Sequence, residues 1–145
     1  MNSAQRAEVL AHARVFAKIP RNDLAVLAEM MQTESFLKGN TVVEIGEPAD
    51  RVYVVASGTL SVWLPGSETR ARLLRPGDVL GEYGMVAAAA RTATVKADED
   101  SVLLSLDYER FHAYLVRFPE ALWVLFEGAA KRLFEAERAA RGSQR

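Results

Sequence analysis

The sequence predicts an α+β domain that is mainly β: a double-stranded β-helix jelly roll with helices before it and two helices after it. Three observations carry this expectation. Apolar residues near the start repeat at helical spacing. From Thr33 to Leu106 the pattern breaks into short β-branched or aliphatic runs divided by turn residues. After Leu106 helical spacing returns. No linker-like stretch or internal repeat interrupts the order, so the 145 residues read as one domain: helices over 1–32, a roll over 33–106 and helices over 107–141.

Each element has a local reason. Val9, Leu10, Ala13, Phe16 and Ala17 recur at helical spacing until Pro20 breaks the run. Asn22 or Asp23 is then placed to cap a short helix over Leu24–Met31. Strand-like runs follow at 41–44, 52–56, 60–64, 70–74, 92–97 and 102–106. Between them stand the turn signals Lys38-Gly-Asn, Gly46-Glu-Pro, Ser57-Gly58, Pro65-Gly66, Arg75-Pro-Gly-Asp78 and Asp98-Glu-Asp100. A spacing of roughly ten residues suits an antiparallel sandwich or barrel, and about eight strands in some seventy residues suit a jelly roll. Asp107 is positioned as N-cap for Tyr108–Phe118, and Pro119 suits the first turn of a last helix running Glu120–Ala140. Leu122, Leu125, Phe126, Ala129, Ala130, Leu133 and Ala136 would share one broad apolar face of it.

Composition narrows the function classes. Lys plus Arg number 18 and Asp plus Glu 19, a formal net charge of −1, without the basic excess of a general polyanion binder. The chain has no cysteine, so disulfides, thiolate metal sites and a cysteine nucleophile are excluded. Residues 1–20 hold Arg6, Glu8, His12, Arg14 and Lys18 and form no signal-peptide h-region. The longest uncharged run, 52–67, except for its alternation, Gly58 and Pro65, would be the nearest approach to a span; it reads as two strands. A soluble cytoplasmic protein, or a soluble piece of a larger one, is expected. His12 and His112 sit on separate helices, so no metal-binding cupin site and no metal is expected. No Gly-x-Ser-x-Gly elbow is present, and no catalytic residue or cofactor is expected.

One segment departs from the strand pattern: Gly77-Asp-Val-Leu-Gly-Glu-Tyr-Gly-Met-Val, four alanines, then Arg91-Thr-Ala-Thr-Val95. Gly81 and Gly84 lack a Cβ, so backbone N–H groups there can approach a ligand closely. Residues 82–88 suit one or two helical turns, whose N-terminus would favour an anion. Arg91 would add a bidentate, charge-assisted clamp on phosphate oxygens. Glu82, an acceptor only when ionised, suits a sugar hydroxyl. Together these elements can grip a phosphorylated ribose. Taken singly, Glu82 reads as a solvated carboxylate at a helix start and Arg91 as a surface arginine.

Gly81-Glu82-x-Gly84-Met85-Val86, followed after four residues by Arg91-Thr-Ala-Thr-Val95, resembles the phosphate-binding cassette of cyclic nucleotide-binding domains. That family includes the effector domain of the catabolite activator protein, regulatory subunits of cyclic nucleotide-dependent kinases and gated channels. The resemblance extends over most of the chain, with Gly46, Gly58 and Gly77-Asp78 at the turns of the roll. It implies a cassette over 81–95 that binds cAMP, with cGMP as a further ligand. Glu82 would hold the ribose 2′-hydroxyl, and Arg91 the cyclic phosphate, with backbone N–H groups around Gly81, Tyr83, Gly84 and Met85. Ala93 would sit in the strand entering the pocket, and Val62 and Ala71 near the base. Thr92 stands where a Thr or Ser favours cGMP in some members, and Ala90 where many members carry Pro.

The resemblance further implies a regulatory module and not an enzyme. Ligand phosphate would draw the cassette inward, and the helices after Leu106 would repack, the last one closing over the base. Phe126, Leu133, Phe134 and Ala136 are the lid candidates. Only a few residues follow Ala140, so no helix-turn-helix reader is expected and no nucleic acid is expected to bind this chain alone. A homodimer, or a covalent link to a channel, transporter or enzyme module, fits the sequence as an output. The alternative is a ligand-free roll that serves as a protein-interaction scaffold.

Overall fold

The computed structural model describes residues 1–82, 84 and 90–142. Helix α1 (Ser3–His12) opens with a capping box: the Gln5 N–H donates to Asn2 Oδ1 at 2.8 Å and the Asn2 N–H to Gln5 Oε1 at 2.9 Å. It stops at His12, earlier than the spacing of Ala13, Phe16 and Ala17 suggested. Residues 13–19 continue as turns, with N–H to carbonyl bonds from Phe16 to Ala13 and from Ile19 to Phe16. Ala13, Phe16 and Ile19 are buried nonetheless, because three-residue turns also return side chains to one side. Helix α2 (Arg21–Met30) starts directly after Pro20, so Asn22 and Asp23 lie inside its first turn and neither is its cap.

Two four-stranded antiparallel sheets follow, ordered β1-β8-β3-β6 and β2-β7-β4-β5. Their strands are β1 (Gln32–Phe36), β2 (Thr41–Val43), β3 (Arg51–Ser57), β4 (Leu60–Trp63), β5 (Arg72–Leu74), β6 (Val79–Leu80), β7 (Thr94–Ala97) and β8 (Ser101–Asp107). The chain ends in α3 (Tyr108–Arg117), capped by the Asp107 carboxylate on the Arg110 N–H, and α4 (Pro119–Gly142).

The run Val52-Tyr-Val-Val explains how the layers join. Val52 and Val54 pack with Leu104 and Leu106 against the helices; Tyr53 and Val55 turn into the roll with Leu103, Leu60 and Val62. A strand buried on both faces needs such an unbroken apolar run. The helical side is closed by Phe16 and Phe111, edge to face with centroids 6.3 Å apart. Tyr114, also buried, donates its hydroxyl to the Asp23 carbonyl at 2.8 Å and so ties α3 to α2. Thus α3 rests on β3 and β8, the strands whose ends border the cassette.

On α4 the packed side is Ala121, Val124, Leu125 and Gly128, whereas Leu122 and Phe126 are 50% and 60% exposed. The broad face read from the sequence is therefore rotated. Apolar residues nearly surround this helix, so spacing alone does not select its inner side.

Candidate functional site

An open cleft of about 670 Å³ lies at the cassette, within the size range of small-molecule sites. Its apolar wall comes from the roll: Val43, Val62, Leu80 and Val95 lie here, at the mouth of the inter-sheet core. Its charged lining is three arginines, Arg72, Arg91 and Arg132, and one carboxylate, Glu82. Three cations against one anion, above an apolar floor, suit a ligand with an anionic end and a flat apolar body.

Arg91 is fixed by its backbone. Its N–H donates to the Glu47 carbonyl at 2.8 Å, and its carbonyl accepts from the Gly46 N–H at 2.9 Å. Beside it, Ala90 bridges Pro48, and the Ile45 N–H donates to Thr94 Oγ1 at 3.1 Å. Loop 44–50 therefore braces the segment before β7 that presents the arginine. The side chain is aimed as well: Nη2 donates to the Arg51 carbonyl at 2.9 Å. A guanidinium has five N–H donors, so others stay available for a phosphate.

Gly81 is what lets this arginine lie where it does. Its φ is +86°, and a Cβ there would fall 2.6 Å from Arg91 Nη1, 2.9 Å from the Arg51 carbonyl oxygen and 3.1 Å from the Tyr108 hydroxyl. Backbone conformation and crowding both demand glycine. The Gly81 carbonyl accepts from the Tyr108 hydroxyl at 2.7 Å and from the Gly84 N–H at 3.2 Å.

Glu82 is drawn above the ordinary glutamate range by desolvation, against the pull of its own main-chain N–H and of Arg132 and Arg72. A carboxylate held at that desolvation cost suits a hydrogen-bonding partner that arrives with a ligand.

Gly81, Glu82, Gly84, Arg91, Thr92, Ala93, Val62 and Ala71 all line this one cleft, so the structure gathers them from four separate stretches. Tyr83, Met85 and most of the helical turn expected over 82–88 lie outside the described residues. The four lid candidates do not line the cleft: Phe126, Leu133 and Phe134 are 60%, 58% and 64% exposed, and Ala136 is exposed too. From α4 it is Arg132 that reaches the cleft.

The sequence reading missed Arg72, Arg132 and Tyr108. A signal existed for the first two. Arg72 stands two residues before buried Leu74, hence on the same face of β5. Arg132 lies seven residues after buried Leu125, on the inner stripe of α4. Tyr108 carried none, since its role depends on a carbonyl 27 residues away. Among the described residues no group of three or more His, Cys, Asp or Glu could hold a metal, and no helix is long and apolar enough to cross a membrane.

Comparison with known proteins places this geometry. A family model described as the cyclic nucleotide-binding domain matches residues 33–118. A CRP-like cAMP-activated global transcriptional regulator of Mycobacterium tuberculosis is 29% identical over 129 residues, 87% of this chain and 58% of that protein. The potassium/sodium hyperpolarization-activated cyclic nucleotide-gated channel 3 of Homo sapiens is 32% identical over 111 residues, 77% of this chain and 14% of the channel. Among solved structures, the N-terminal domain of a transcriptional regulator from Streptomyces coelicolor superposes with a TM-score of 0.80 at 29% identity, covering 90% of this chain and 96% of that one. The Thermus thermophilus catabolite activator protein gives 0.79 at 26% identity, covering 90% and 62%. The chain spans little more than half of the mycobacterial regulator and a small part of the channel.

Proposed function

The chain belongs to the cyclic nucleotide-binding domain family, whose model matches more than half of it, and on that premise we propose that it is a regulatory module for a 3′,5′-cyclic purine nucleotide. One observation carries the proposal: Arg91, backed against Gly81 and aimed by the Arg51 carbonyl, lies in one cleft with Glu82 and an apolar floor. Arg91 takes the cyclic phosphate. Glu82 accepts from the ribose 2′-hydroxyl. Val62, Ala71 and Ala93 border the base, and backbone N–H groups around Gly81, Tyr83, Gly84 and Met85 complete the anion site.

cAMP is the default ligand, in keeping with the cAMP-activated mycobacterial relative. Thr92 and Arg72 favour acceptance of cGMP as well. A guanidinium pairs naturally with the O6 and N7 acceptors of guanine, and Arg72 stands in the cleft to offer one. The ligand acts by shifting the position of α3 and α4, with Arg132 as the α4 residue over the ligand. A hundredfold preference for the closed state is worth about 2.7 kcal/mol, enough to reverse a poised helix pair. The domain, residues 1–145 taken as one unit, works as a sensor in the cytoplasm and performs no chemistry on its ligand; a separate module supplies the output.

Arg91→Ala tests this reading in a displacement assay with a fluorescent cyclic nucleotide. Affinity should fall by about a hundredfold or more, the loss of two charge-assisted hydrogen bonds. Folding stability should change by no more than about 2 kcal/mol, since the interactions lost are those with the Arg51 carbonyl and the Tyr108 hydroxyl. Unchanged affinity in Arg91→Ala refutes the role given to Arg91, and no affinity in the unaltered chain favours the ligand-free scaffold.

A further inference from the structure

Tyr108 is the first residue of α3, and its N–H and its hydroxyl both bond outside the helix. Its N–H donates to the Asp50 carbonyl at 2.9 Å, next to the residue whose carbonyl aims Arg91. Its hydroxyl donates to the Gly81 carbonyl at 2.7 Å, at the turn that opens the cassette. Arg91 lies against the same hydroxyl and lowers the cost of its ionised form, although burial pushes that hydroxyl above the ordinary tyrosine range. Arg91 Nη1, the Arg51 carbonyl and the Tyr108 hydroxyl thus surround one point, the place where a Gly81 Cβ would be. Gly84 faces the same ring, since a Cβ there would collide with the Tyr108 hydroxyl. Among the described residues no other α3 side chain hydrogen-bonds to the cassette; the side chains of Arg110 and Tyr114 meet Asp107 and the Asp23 carbonyl.

Resting on the cyclic nucleotide reading above, we propose that Tyr108 is the positioning residue that carries the occupancy of the Arg91 phosphate site to α3. When a phosphate takes the guanidinium, Arg91 turns from the Arg51 carbonyl and the Tyr108 oxygen toward the ligand. The hydroxyl then remains bonded to the Gly81 carbonyl, so α3 follows the cassette as it moves. Its side chain is partly buried against the helical core that includes Leu106 and Phe111, so the first turn of α3 would move with it. The role differs from that of Arg91 and Glu82: Tyr108 holds no ligand atom and transmits a displacement.

The test uses the full chain, cAMP as the probe, and the variant Tyr108→Phe, which keeps the ring and removes only the hydroxyl. Calorimetry reads binding; hydrogen exchange of α3 and α4 amides at saturating cAMP reads transmission. In the unaltered chain cAMP binds and changes exchange in α3. In Tyr108→Phe affinity should fall by no more than about tenfold, the loss of one neutral hydrogen bond, while the exchange change in α3 is lost. A ligand-induced exchange change in α3 of Tyr108→Phe equal to that of the unaltered chain overturns the relay and leaves the binding reading intact. Absence of binding in the unaltered chain overturns both. Should the variant fold poorly, the ¹³Cζ resonance of Tyr108 in the unaltered chain decides: it shifts on saturation with cAMP if Arg91 leaves the hydroxyl, and a fixed resonance overturns the relay.

Discussion

Replacing Gly81 by alanine separates two costs that meet at the cassette. The first is conformational: at φ +86° an L-residue with a Cβ loses about 1 kcal/mol or slightly more. The second is crowding. The new Cβ would stand 2.6 Å from Arg91 Nη1 and 2.9 Å from the Arg51 carbonyl oxygen, both well inside van der Waals contact. The guanidinium end can swing aside, but the carbonyl belongs to β3, which is paired on both sides with β6 and β8. Overpacking against such a fixed group costs about 1–3 kcal/mol. Together they come to roughly 2–4 kcal/mol of folding stability. Gly39→Ala is the control, because its φ of +90° carries the conformational cost while nothing lies within 4 Å of its Cβ. Urea unfolding of the two variants beside the unaltered chain reads the difference. Gly81→Ala should be the less stable by about 1–3 kcal/mol and should also bind cyclic nucleotide more weakly, since Arg91 is displaced. Equal destabilisation by the two substitutions would refute the crowded contact between Gly81, Arg91 and Arg51.

Three further outcomes follow from named contacts. Glu82→Gln should leave the free protein at least as stable at neutral pH: the raised pKa of Glu82 means its stabilising share is present at low pH and lost as pH rises through that value, and glutamine removes this loss. The same substitution should weaken cyclic nucleotide binding, and in the unaltered chain affinity should drop as pH falls through the raised pKa, earlier than for an ordinary glutamate; pH-dependent titrations of both proteins check this. Tyr114→Phe should cost about 1 kcal/mol in thermal or urea unfolding, because the Asp23 carbonyl loses its partner in a buried setting, while nucleotide affinity stays unchanged. Arg132→Ala should weaken nucleotide binding less than Arg91→Ala and reduce the discrimination between cyclic nucleotide and the corresponding nucleoside less, since Arg132 comes from α4 and not from the braced cassette; competition binding measures it.

The roll was legible wherever residue pattern and burial coincide. Val52-Tyr-Val-Val and Val102-Leu-Leu are apolar enough to announce strands; Gly46 and Gly58 stand at the turns around the first, and Asp98-Glu-Asp100 marks the start of the second. Strand β1 was not, because Gln-Thr-Glu-Ser-Phe is mostly polar and half-solvated: it is an edge strand held by its register with β8. Strand β6 has only two residues, and pairing with Tyr53 and Val54 makes it a strand, not its own pattern. In the site, most residues legible in the sequence were those clustered in one stretch, Gly81 to Ala93, and Val62 and Ala71 came with the family resemblance. Arg72, Tyr108 and Arg132 reach the same place from β5, α3 and α4, and tertiary packing alone brings them there. The inner face of α4 escaped for a different reason: alanine, leucine and phenylalanine occur around most of its circumference, so only contact with α3 and the segment after α1 selects Ala121 and Leu125.

The central claim is that this cleft holds a cyclic nucleotide by its phosphate. Calorimetric titration of the purified chain, shown to be folded and free of carried-over nucleotide, with cAMP and with cGMP tests it most directly. Saturable one-site binding in the low-micromolar range, about −8 kcal/mol, is expected with at least one of the two, and no binding of adenosine or guanosine, which lack the phosphate. Absence of heat with both cyclic nucleotides, or equal binding of the nucleosides, would contradict it.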